Sequence, residues 1–148
     1  MKETLKPGIH LRFDLDVSDG HTVPAVFPEA DSFQVMPPVF ATAYMVGFIE
    51  WACIEAINPH LDDGEQSVGT HICVSHISAT PVGSGIYALV TLEKVEGRRL
   101  FFTVEAHDEE GLIGEGTHER AIIDHQKFMS RITAKQATLS VQDNQSNS

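Results

Sequence analysis

Residues 38–56, PVFATAYMVGFIEWACIEA, decide how this chain folds. Met45, Phe48, Ile49, Ala52, Cys53 and Ala56 recur at three- and four-residue intervals, the period of one helix face. The pattern predicts one long, mostly buried helix from Val39 to about Leu61, entered at Pro37 and Pro38 and ended by Pro59. Two polar residues interrupt it, Thr42 near the start and Glu50 in the middle. An ionised carboxylate costs several kcal/mol to bury alone, so Glu50 is either paired or at work.

On the N-terminal side, Leu11, Phe13, Leu15 and Val17 alternate with Arg12, Asp14 and Asp16, the pattern of a half-buried strand. Residues 20–38 hold Pro24, Pro28, Pro37 and Pro38 among scattered Phe and Val, which predicts a loop or short strands able to act as a lid. On the C-terminal side, the turn DDGEQ precedes strand-like runs over residues 67–80, 84–96, 99–108 and 112–125, with EGRR and DEEG marking hairpins. Residues 130–148 are polar without a sustained apolar period and read as a disordered tail, leaving residues 1–129 as one domain.

One strand, one buried helix and four further strands predict an α+β domain in which an antiparallel sheet wraps around a long helix, the hot-dog fold. A single sheet around a single helix leaves a strand edge and a helix flank open, so a homodimer is expected.

Composition narrows the partners. The 148 residues, 42% hydrophobic, suit a single domain with a sizeable core. Ten Lys and Arg against 21 Asp and Glu give a formal charge of −11, which argues against nucleic acid or an anionic membrane as partner. The opening segment MKETLKPGIHLRFD lacks the apolar centre of a signal peptide, and no run nears the roughly 18 apolar residues of a membrane span, so a cytoplasmic location is expected. Cys53 and Cys73 form no CxxC, so both are read as reduced core residues.

Four runs carry a resemblance: VFATAYMVGFIEWACIEA, GTHICVSHISATP, VEGRRL and GTHERAII. Over roughly Pro7 to Met129 the chain resembles the fluoroacetyl-CoA thioesterases and their hot-dog relatives. The resemblance implies a dimeric enzyme that hydrolyses a short acyl-CoA thioester to free acid and coenzyme A. It implies catalytic positions at Thr42, Glu50 and His76, with Gly69 and Arg120 lining the site. It also implies a lid over the acyl group at Phe33 and Met36, where Met36 replaces a second phenylalanine of the family.

These residue types suit the reaction. Histidine moves protons near neutral pH, a carboxylate can attack or activate water, and a hydroxyl with first-turn amides can receive negative charge. Thr42 and Glu50 lie about 12 Å apart along a helix and about 80° around it, so a strand residue must bridge them. His76 is the candidate, from the same chain or across a dimer interface. His71 and His76 are five apart, on opposite faces of a regular strand, so no metal site is expected, and no cofactor. Arg98, Arg99 and Arg120 are among the few cations available to coenzyme A phosphates.

Each residue also has a plain structural reading. Thr42 suits a helix start, Gly69 a β-bulge, and His76 a core position. Two rival functions remain at this stage: a non-catalytic acyl-CoA binding protein, and a hydratase on the same fold.

Overall fold

In the computed structural model, which describes residues 1–146, the alternating N-terminal run forms β1 (His10–Asp16). Two single helical turns follow, α1 (Val23–Val26) and α2 (Asp31–Gln34), and then the long helix α3 (Thr42–Ile57). After a 3-10 turn over Asn58–His60 come β2 (Glu65–Val74), β3 (Gly85–Glu96), β4 (Arg99–Asp108) and β5 (Gly111–Asp124), and the chain closes with α4 (His125–Ser146). The five strands form one antiparallel sheet in the order β1-β3-β4-β5-β2. β1 and β2 are therefore its edges.

α3 supplies Met45, Phe48, Ile49, Ala52, Cys53 and Ile57 to a core completed by Val90 and Leu92 of β3, Leu100 and Phe102 of β4, and Ile113 and Ile122 of β5. The Val, Leu, Ile, Phe and Met side chains among them contribute about 1.5–3 kcal/mol each when fully buried. The expected α+β arrangement, a sheet packed around one helix, is what forms.

Five expectations need correction. The helix is half covered rather than mostly buried, because one sheet covers only one flank; Thr42 and Trp51 are exposed and the Glu50 side chain is 38% accessible. The proline-rich segment folds as two helical turns because Pro24 sits in the first turn of α1, where its missing N–H costs nothing. Cys73 is exposed, since it lies on the edge strand β2, whereas Cys53 is fully buried and its thiol is pushed up to about 12 by burial.

The fourth concerns the tail. Residues 130–146 are helical, while 147 and 148 lie outside the described residues. The segment His125–Ser146 contains no proline or glycine, and Asp124 Oδ1 accepts a bond from the Lys127 amide at 3.0 Å, capping the helix. Polarity hid these helix signals. α4 buries no residue, however, so deleting residues 135–148 should leave melting temperature and activity nearly unchanged. A large fall in either on truncation would show that the outer turns of α4 dock.

β2 also ends earlier than its sequence run. Its register shifts at a bulge between Gly69 and His71, and the ladder stops at Val74. Beyond it, the Ser75 amide still donates to Glu115 O at 2.9 Å and the Ile77 amide to Ile113 O at 2.7 Å. The segment thus follows β5 while leaving the regular ladder, which frees His76 to approach the start of α3.

Candidate active site

Two polar clusters lie at different points along α3. At its start, Thr42 occupies the first turn, where backbone amides have no acceptor inside the helix. Thr42 Oγ1 stands 2.7 Å from His76 Nδ1 in the same chain. Phe40 packs edge-on against the His76 ring at 6.4 Å, and its own amide donates to Thr80 O at 2.9 Å, tying the approach to α3 beside the His76 segment. Burial pushes the His76 imidazole below its usual 6.5, opposed by the Ser78 backbone. It is therefore neutral near pH 7 and able to take a proton. His76 Nε2 is buried with no hydrogen-bond partner among the described residues.

The second cluster surrounds Glu50. Arg120, only 3% accessible, donates from Nη1 to Glu50 Oε1 at 3.1 Å. Its other nitrogens are committed to β2: Nε donates to Ser67 Oγ at 2.8 Å and Nη2 to Ser67 O at 2.9 Å. The guanidinium consequently holds one carboxylate oxygen rather than both. Gly69, opposite Arg120 in the sheet, lies against this pair; a Cβ there would stand 2.5 Å from Glu50 Oε1. Gly69 is thus both the expected bulge and a point of close approach to the carboxylate. An open cleft of about 410 Å³ runs here, lined by Val46, Glu50, Gly69, Thr70, Ile72 and His118. A larger depression of about 590 Å³ lies between Leu89, Thr103 and Glu115 on the other side of the sheet, with no cation or imidazole in its lining.

The structure thus joins Thr42 to His76, and Glu50 to Gly69 and Arg120, but His76 does not bridge the helix to Glu50 within the chain. Phe33 packs edge-on against Phe27 at 5.3 Å, and Met36 is 48% exposed. Arg98 and Arg99 are tied to Glu65 and Glu119 at 3.0 and 3.3 Å. Sequence reasoning passed over His118, which sits two residues from Arg120. That spacing on a strand puts both on one face, and it was the available signal.

An antiparallel sheet on a single helix, with an ionisable cleft at their junction, defines a hot-dog domain of the thioesterase type. A hypothetical protein of Thermus thermophilus, described as a thioesterase superfamily member, shares the fold with a TM-score of 0.83 at 27% identity, over 94% of this chain and 98% of that one. The solved structure of the fluoroacetyl-CoA thioesterase FlK matches with a TM-score of 0.88 at 44% identity, over 90% of this chain and 98% of the other. The fluoroacetyl-CoA thioesterase of Streptantibioticus cattleyicolor is 45% identical over 135 residues, 91% of this chain and 97% of the relative. The model of the fluoroacetyl-CoA-specific thioesterase family matches residues 22–126. The chain belongs to that family. Among the described residues, no helix is long and apolar enough to cross a membrane.

Proposed function

We propose that this protein hydrolyses short-chain acyl-CoA thioesters, fluoroacetyl-CoA among them, to the free acid and coenzyme A. The observation that carries the reading is the pair of charged and hydroxyl–imidazole clusters on α3, in a chain of this family. Thr42 and the first-turn amides receive the carbonyl oxygen. In one route Glu50 attacks the carbonyl, expelling the thiolate and leaving an anhydride that a water deprotonated by His76 hydrolyses, which releases the acid and restores the carboxylate. In the other, Glu50 takes the proton of a water that attacks and expels the thiolate directly, and in both the proton is passed to the thiolate or to solvent. Arg120 and Gly69 keep its carboxylate in place. A non-catalytic binder would need none of these groups.

The active unit is a homodimer in this reading. β2 offers an unpaired edge and α3 leaves Trp51 47% exposed, two surfaces that a second copy can cover. Glu50 of one subunit then serves Thr42 and His76 of the other, which removes the 12 Å problem along the helix, an axial distance of about 1.5 Å per residue. Two unpaired cysteines fit a cytoplasmic setting.

Thiol release across acetyl-, fluoroacetyl-, propionyl-, malonyl- and butyryl-CoA tests the reading, and double-bond hydration without thiol release would replace it with a hydratase. Phe33 and Met36 make a lid that is part stiff ring and part adaptable thioether, so comparable kcat/KM across the short acyl series is expected. One methylene is worth only about 1–3 kcal/mol in such a pocket. Met36→Phe should narrow the range toward two-carbon acyl groups. A wild-type preference for fluoroacetyl of many thousandfold would show that Met36 does not loosen the lid.

A further inference from the structure

We propose that His118 is a positioning residue for the reaction, holding Arg120 in the one orientation that presents a single N–H to Glu50; the inference rests on the thioesterase reading above. The geometry fixes its proton. Arg120 Nη1 lies 3.1 Å from His118 Nε2, and a guanidinium can only donate, so Nε2 accepts. Nδ1 therefore carries the hydrogen and donates to His71 O at 2.7 Å, at the β2 bulge. Nη1 has two N–H bonds, and both are now spent, one on His118 and one on Glu50.

His118 is 2% accessible and its ring stacks on Phe102 of β4 at 6.4 Å, so it has no freedom to turn away. If it left, one N–H of the buried Nη1 would lose its acceptor, and the guanidinium could turn about its two ties to Ser67 to find another, carrying the remaining N–H away from Glu50 Oε1. His118 thus keeps the N–H that aims the Glu50 carboxylate in place.

Protonation would have the same effect as removal, because an imidazolium points N–H at N–H. The groups facing His118 are Arg120 on its own strand, Glu50 on α3 and His71 on β2, while β4 presents only the uncharged Phe102. Cys53, also on α3 and near Arg120, stays a neutral thiol. Burial holds His118 below its usual 6.5, reinforced by Arg120 and opposed by the His71 carbonyl and Glu50. The neutral form is thus the folded form. The unfolded chain takes its proton near 6.5, so the contribution to stability is complete above that pH and is lost as the pH falls below it.

A double-mutant cycle tests the inference. His118→Phe keeps a ring against Phe102 but removes both hydrogen bonds, and should lower kcat/KM for acetyl-CoA roughly tenfold or more, with KM little changed. In an Arg120→Gln background the same change should cost no more than about twofold, because the residue it acts through is gone. An equal factor in both backgrounds overturns the proposal, since a purely structural residue would be additive. His118→Gln, which keeps an acceptor and a donor, should recover most of the loss and serves if the Phe variant does not fold. Imidazole nitrogen NMR gives an answer independent of turnover: a neutral Nδ1–H tautomer at pH 7 is expected for His118, and an Nε2–H or charged ring overturns the proposal. Wild-type protein that releases no thiol from any acyl-CoA, yet shows that tautomer, would refute the thioesterase reading and not the His118–Arg120 linkage.

Discussion

Glu50→Gln is expected to lower kcat/KM for short acyl-CoA substrates by roughly a hundredfold or more while the protein stays folded. The amide is nearly isosteric and still offers Arg120 Nη1 an oxygen, so the 3.1 Å bond survives in form and the buried guanidinium is not abandoned. What disappears is the charge, and with it the ability to attack or to deprotonate water. Thr42→Ala and His76→Ala should cost a similar factor, because each removes one half of the 2.7 Å pair at the start of α3. Near-wild-type turnover in two of these three variants would sink the mechanism. Mixing Glu50→Gln with His76→Ala protein sharpens the test. If Glu50 works across a dimer, half of randomly formed dimers carry one intact site, and activity returns to about a quarter of wild type. A site within one chain would give no recovery.

The second large effect is expected at Gly69. An added Cβ would lie 2.5 Å from Glu50 Oε1, 3.3 Å from His118 Cε1 and 3.5 Å from Arg120 Nη1, so Gly69→Ala forces the carboxylate out of its place. Glu50 is the group that yields, since it is the end of a flexible side chain with 38% accessibility, whereas Arg120 and His118 are packed in. Activity should therefore fall at least tenfold with little change in melting temperature, a split that displaced geometry produces and core damage does not. A variant of undiminished kcat/KM would mean that the Glu50 position observed here is not the working one. A variant that is active but strongly destabilised would assign Gly69 to the fold alone.

How much of this was legible beforehand can be followed residue by residue. The spacing of Met45, Phe48, Ile49, Ala52, Cys53 and Ala56 named the helix and its buried face, because the helical period is a local property of the backbone. Alternation named β1 for the same reason, strand-like runs between turn signals named the hairpin strands, and together these elements left few folds open. The runs around Thr42, Glu50 and His76 pointed to a thioesterase, and the family match agrees. Polarity misled at the tail, where absent prolines and the Asp124 cap carried more weight than the lack of apolar period.

Tertiary structure decided what lies outside any local period. A β-bulge at Gly69 and the early end of β2 at Val74 broke the alternation on which the placement of His71 and His76 relied. His76 therefore reaches Thr42 but does not go on to bridge it to Glu50 within the chain. The same irregularities also set the His71 carbonyl against His118, 47 residues away, and so fixed the tautomer that receives Arg120. Sequence by itself determined β1, α3, the four later strands and which residue types stand ready for chemistry. Only packing determined which of them meet, because hydrogen-bond partners separated by 34 to 70 residues depend on how the strands register against one another.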